Sequence, residues 1–243
     1  MRLSASPIDT EPHNRSLGRR TSLGCVAFSG FPPAAFSFYE QLATHNTKAW
    51  WEKNRSTYDE AIKQPMVELL AELADEFGEG KVYRPYRDAR FSKDKTPIKD
   101  HQGAVVMIED GVGYYVQVSA AGLMVGGGLY APTSGQLARM RAAIDSPAVA
   151  TLESELAKLR RGRPAWEIDG APLKTKPKGY DADHPRIELL RMTRLIFTRT
   201  YDDERMLASR KARDVVRRDW RAIAPANEWL ADHAGPEGDP ETD

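Results

Sequence analysis

The sequence predicts an α+β fold, a single domain with a mainly antiparallel sheet flanked by helices. Three observations carry that expectation. Apolar residues recur at helical spacing towards both ends of the chain, short strand-like runs joined by tight glycine-bearing turns fill the middle, and no period of roughly 20 to 50 residues points to a solenoid. With 243 residues, 41% of them hydrophobic, the chain can bury one sizeable core. The expected boundaries are a disordered extension at 1–27, the domain at 28–231, and a disordered tail at 232–243 that carries five acids and no Lys or Arg.

Pro32-Pro33 opens the first helix, with Phe36, Phe38, Tyr39 and Leu42 on its apolar face. His45-Asn46-Thr47 caps a second helix bearing Trp50, Trp51 and Tyr58, aromatics read as core anchors. Pro65 opens or kinks the next helical run, whose Met66, Leu69, Leu70, Leu73 and Phe77 recur at helical spacing until Gly78 and Gly80 stop it. Strands are then expected at Val82 to Phe91, Ala104 to Ile108 and Tyr114 to Val118, the last two as a hairpin across Glu109-Asp-Gly-Val-Gly113. A further strand through Leu123 and Val125 enters Gly126-Gly127-Gly128, which a bend, a bulge or close backbone packing explains as well as a phosphate cradle does.

Thr133 and Gln136 form a capping box for a helix holding Leu137, Met140 and Ile144. Ser146-Pro147 starts another helix, closed by Gly162. A small hairpin is expected from Trp166 to Leu173 across Asp169-Gly170, followed by a polar loop, Lys174 to Pro185. Asp183 is read as the cap of a short helix through Leu189 and Leu190. Leu195 to Tyr201 is the last strand, and Asp202 to Leu230 is helical with a break at Pro225.

Composition excludes several classes. Thirty-five basic and thirty-five acidic residues cancel, so no global field draws the chain to nucleic acid or an anionic membrane. The longest apolar runs reach about a quarter of the roughly 20 residues a membrane helix needs, and the N-terminus lacks the apolar stretch of a secretory signal. A lone cysteine, Cys25, cannot form an internal disulfide, which favours a cytoplasmic setting. No Walker, dinucleotide-binding or Gly-x-Ser-x-Gly motif occurs, and no cofactor is indicated.

Any site must therefore be local. Between Arg84 and Lys99 six cations, Arg84, Arg87, Arg90, Lys93, Lys95 and Lys99, face two anions, Asp88 and Asp94. On a strand, Arg84, Asp88 and Arg90 share one face with Tyr86, and Arg87 shares the other with Phe91. Asp88 would then hold two guanidiniums in the fixed fork that suits phosphate or carboxylate. The competing reading is a structural ion-pair cluster on an edge strand. The second concentration is Lys174, Lys176, Lys178, Asp181, Asp183 and His184, in which Asp181 or His184 are the proton-transfer candidates. His184 has no His-x-x-x-His or Cys-x-x-Cys companion, so no metal site is expected.

The pattern Arg84-x-x-Arg87-Asp88-x-Arg90-Phe91-Ser92-x-Asp94-Lys95-x-Pro97-x-Lys99 resembles the signature of the family called domain of unknown function 2461. Phe28 to Pro32, Asn46 to Trp50, Gly127 to Pro132, Arg141 to Ile144 and Pro177 to Pro185 resemble its other blocks, in order. Ile98 stands where a Tyr is usual, and His45 where an Asn is. The resemblance implies one α+β domain and no transferable reaction. It also implies that the two charged stretches converge.

Three functional expectations follow. In the first, Arg84, Arg87, Arg90, Lys95, Lys99 and Lys178 line a pocket for an anionic, phosphorylated small molecule, with Asp88 orienting the arginines. In the second, the charged loops lock the fold of a non-catalytic adaptor. The third, single-stranded nucleic-acid binding, would use Tyr83, Tyr86 and Phe91 as stacking rings and is disfavoured by neutral net charge.

Overall fold

A computed structural model describes residues 27–87 and 95–235. Helices α1 (Pro33–His45), α2 (Lys48–Tyr58) and α3 (Gln64–Phe77) lead into β1 (Gly80–Val82), β2 (His101–Glu109), β3 (Val112–Ser119) and β4 (Gly122–Leu129). Helices α4 (Ser134–Ile144) and α5 (Val149–Arg161), strand β5 (Glu167–Asp169), α6 (Ile187–Leu190), β6 (Leu195–Tyr201), α7 (Glu204–Leu207) and the long α8 (Lys211–Ala234) complete it. The strands form one sheet in the order β1-β2-β3-β4-β6-β5, antiparallel at every pairing. The α+β fold with an antiparallel sheet is thus the one expected. No helix among the described residues is long and apolar enough to cross a membrane.

Alternation along the strands decides which face the helices cover. On β3, Val112, Tyr114, Val116 and Val118 are buried, whereas Tyr115, Gln117 and Ser119 are half-buried. Trp220 of α8 stacks on Tyr114 with ring centroids 5.3 Å apart, Phe77 of α3 meets both rings edge-on, and the Tyr58 hydroxyl donates to Gln102 at 2.5 Å. These contacts lie on the Val112 face. A buried tryptophan such as Trp220 or Trp51 stabilises by about 3–5 kcal/mol relative to alanine. Trp51 is fully buried in the core, and Trp50, partly buried, packs against it on Phe38.

Several elements depart from expectation. The strand predicted over Val82 to Phe91 ends at Val82, because Pro85 has no N–H for the ladder; pairing resumes as a bridge between Tyr86 and Ile98. Residues Asp88 to Asp94 lie outside the described residues. The predicted hairpin from Trp166 to Leu173 does not form. Instead, β5 pairs with β6, and Gly170 C=O accepts the N–H groups of Thr193 and Arg194. Pro225 does not break α8, which runs through it with Ala226, Trp229 and Leu230 buried. It also passes the expected boundary at 231. Asp183 caps nothing; Arg186 holds that position for α6.

Gly126-Gly127-Gly128 is neither bend nor cradle but the interior of β4. A Cβ at Gly126 would sit 2.2 Å from the Phe197 carbonyl oxygen, and Gly128 adopts φ +126°, a region L side chains rarely enter. Close backbone packing between β4 and β6 is the reason for these glycines.

Candidate functional site

The site is built where the helices meet the β1 edge. Helix α2 continues into α3 through one π turn, Asp59–Lys63, in which Gln64 N–H donates to Asp59 C=O. Pro65 follows at the start of α3, where its missing N–H is tolerated. Spacing of four residues places Arg55, Asp59 and Lys63 on one face. Asp59 Oδ2 accepts from Arg55 Nε at 3.2 Å, and its Oδ1 lies 3.9 Å from Lys63 Nζ. One carboxylate thus orients two cations.

Opposite them runs a short ribbon. Arg87 N–H donates to Pro97 C=O at 2.9 Å and Lys99 N–H to Pro85 C=O at 2.8 Å, flanking the Tyr86–Ile98 bridge. Asn46, at the α1–α2 junction, clamps it: its Nδ2 donates to Ile98 C=O at 2.8 Å and its Oδ1 accepts Ile98 N–H at 3.1 Å. Ile98 itself is buried, so the residue at this position packs in the core and does not face a ligand. The Tyr86 hydroxyl accepts from Trp51 Nε1 at 3.2 Å and from Arg55 at 3.3 Å.

Between ribbon and π turn lies a cleft of about 280 Å³, lined by Arg55, Lys63, Arg84, Tyr83, Tyr86 and neighbours. Lys99 sets its ammonium 5.5 Å from the ring centroid of Tyr83, one of the lining residues. Burial, then the charges of Arg84 and Arg87, holds the Lys99 pKa below its ordinary value. Neither Arg84 nor Lys99 has a carboxylate within ion-pair distance among the described residues. Arg87 lies 3.8 Å from Asp100, whose Oδ1 also holds His101 Nδ1 at 2.8 Å. If Nδ1 carries the proton in that pair, His101 Nε2 keeps a lone pair able to take a proton. The arrangement can hold an anion and orient an imidazole beside it.

Of the residues singled out by sequence, Arg84, Arg87 and Lys99 come together here. Lys95 is exposed at the described edge of the loop, and Asp88 and Arg90 lie outside the described residues. The expected convergence with Lys178 is corrected. The ribbon adjoins the His101 end of β2, on the β1 side, and register equates that end with Ser119, Gly122 and Tyr201. The Lys174 to Pro185 loop follows the opposite edge strand and is pinned to the α4–α5 junction: Asp145 to His184 at 2.9 Å, Glu153 to Arg186 at 3.3 Å. That junction belongs with the Leu129 and Leu195 ends of the strands, since α4 begins just past Leu129 and Arg141 donates to Leu190 C=O just before β6. Lys178 is exposed there, far from Lys99 along and across the sheet.

His184 is similarly committed. Its Nδ1 accepts Arg186 N–H at 3.0 Å, which leaves the proton on Nε2 for Asp145. No free lone pair remains, and the ring staples the loop. Asp181 is exposed and gives its backbone carbonyl to His184 N–H. Sequence reasoning missed Arg55, Lys63 and His101. The i, i+4 spacing of Arg55, Asp59 and Lys63 was visible, but nothing local marked the helix face that would meet the ribbon. Among the described residues no group of His, Cys, Asp or Glu is arranged to hold a metal.

A family model described as a conserved hypothetical protein, DUF2461, matches residues 34–229. No curated protein and no solved structure matches the chain.

Proposed function

The chain belongs to the DUF2461 family, and from that premise we propose that it binds an anionic, phosphorylated small molecule at the ribbon and cleft formed by Arg84, Arg87, Lys99, Arg55 and Lys63. One observation carries the reading: Lys99, half-buried, faces an aromatic ring and two guanidiniums, and among the described residues no carboxylate lies within ion-pair distance of it. Among the described residues five cations, Arg55, Lys63, Arg84, Arg87 and Lys99, meet two carboxylates, Asp59 and Asp100, and a bound anion offsets the excess. Arginine forks and a lysine point charge are the groups that grip phosphate oxygens. Chemistry on such a ligand would fall to His101, oriented by Asp100, and the cations would stabilise negative charge developing on the ligand. The single cysteine of the sequence and the small-molecule ligand together support a cytoplasmic setting.

Calorimetry with pyrophosphate tests this. The parent protein should bind it, and Lys99→Met should weaken binding about tenfold or more, the cost of roughly 1.5–3 kcal/mol for one charge-assisted hydrogen bond. Arg84→Ala should act in the same direction. If Lys99→Met and Arg84→Ala fold normally and bind pyrophosphate as tightly as the parent, the site is misassigned.

A further inference from the structure

The second face of the sheet points to the rest of the ligand. Side chains opposite the Val112 face belong to His101, Gly103, Val105 and Met107 on β2, Tyr115, Gln117 and Ser119 on β3, and Met124, Gly126 and Gly128 on β4. The helix contacts described above fall on the other face. Met107 is 50% exposed, and Tyr115, Gln117 and Met124 are half-buried. Two tyrosines stand over this surface. Tyr83 N–H donates to Gly103 C=O at 3.0 Å, which sets Tyr83 beside β2 in register with Gly103. The Tyr115 ring lies across Gly103, so close that a Cβ there would sit 2.3 Å from its hydroxyl oxygen, and it donates to Gln117 at 2.8 Å.

The uncovered aromatic surface begins where the cations end, because Lys99 packs on Tyr83 and His101 opens β2 on this same face. The cations at the Lys99 end therefore seat an anionic group there and leave the tyrosines for an uncharged flat ring. We propose that the ligand is a mononucleotide whose phosphates lie against Lys99, Arg87 and Arg84 and whose base lies on the open sheet face against Tyr83 and Tyr115. This rests on the anion-site reading and adds the ring. Flat heterocycles stack on phenols with little sequence preference, and Tyr115 with Gln117 offers a polar edge beside the stack.

The test is calorimetry on the full chain with ADP and with pyrophosphate in parallel. ADP should bind the parent about tenfold tighter than pyrophosphate, the increment being the stacked base. Tyr115→Ala should weaken ADP by about tenfold while leaving pyrophosphate binding unchanged, and Tyr115→Phe, which keeps the ring, should retain ADP. Lys99→Met should weaken both. Equal affinity of the parent for ADP and pyrophosphate, or an ADP affinity indifferent to Tyr115→Ala, overturns the nucleotide assignment and leaves the anion site standing. Failure of the parent to bind either overturns the anion site itself. A twelve-residue oligothymidylate binding tighter than ADP would also overturn the mononucleotide, in favour of a single strand laid along the sheet.

Discussion

Asn46→Ala offers the sharpest test of how the site is held. The side-chain amide of Asn46 satisfies both backbone groups of Ile98, at 2.8 and 3.1 Å, and Ile98 is buried. Truncation leaves one N–H and one C=O without partners in a place where water enters poorly. Each lost hydrogen bond is worth about 0.5–1.5 kcal/mol net, and more where the orphaned group stays dry, so the pair should cost about 2 kcal/mol. For a protein of this size each kcal/mol lowers the melting temperature by roughly 2–4 °C, giving a fall of about 4–8 °C. Urea unfolding should show a lower midpoint with an unchanged m-value. Hydrogen exchange should localise the damage, because the Arg87 and Lys99 amides, bonded to Pro97 and Pro85, are the ones Asn46 holds in register. Pyrophosphate affinity should fall with them. Asn46→Asp keeps the acceptor for Ile98 N–H but turns a carboxylate towards Ile98 C=O, and should be no better than alanine. An Asn46→Ala protein with the parent's melting temperature and parent-like exchange at Arg87 and Lys99 would refute the clamp.

Three further outcomes are expected. Asp219 is fully buried, paired with Arg199 at 3.3 Å and Arg218 at 2.9 Å, and accepts the Tyr201 hydroxyl; Asp219→Ala strands the buried Arg199 and should cost about 3–5 kcal/mol by urea unfolding, a loss under 1 kcal/mol arguing against the network. His184→Ala should lower stability by about 1–2 kcal/mol and leave pyrophosphate affinity untouched; an affinity loss matching that of Lys99→Met would return the Lys174 to Pro185 loop to the site. The third concerns pH. Lys99 has its folded pKa lowered by burial first and then by Arg84 and Arg87, so between the folded and unfolded values the unfolded chain holds more protons and stability rises with pH. An anion seated on the ammonium raises that pKa again. Pyrophosphate binding should therefore take up a proton in the alkaline window above the free Lys99 pKa, and weaken as pH rises through it. Calorimetry in buffers of different ionisation enthalpy measures the uptake, which Lys99→Met should abolish; absence of uptake in the parent would count against the site.

Much of the architecture was legible from local chemistry alone. Pro32-Pro33, Thr47 and the Thr133–Gln136 box mark helix starts because each supplies or avoids an unsatisfied N–H, and the side chains of Thr47 and Thr133 do cap, at 3.2 Å each. Alternation and the turn at Gly111, with φ +78°, identified the β2–β3 hairpin. The charged stretch from Arg84 to Lys99 was also visible as the centre of interest, since four excess cations need a partner from somewhere.

What the sequence by itself determined was the type of each locally stabilised element and the local excess of charge, both of which depend on neighbours a few residues apart. Tertiary structure decided the rest. Pairing of β5 with β6 instead of with Leu173 carried the Lys174 to Pro185 loop to the far edge of the sheet, and so separated Lys178 and His184 from Lys99. Packing of the α2–α3 unit beside the ribbon brought in Arg55 and Lys63, as the Arg55–Tyr86 hydrogen bond across 31 residues illustrates. Helices on one face alone left the tyrosines of the other uncovered. Such choices are set by competition among long-range surfaces for burial, a sum over distant residues that no local pattern records.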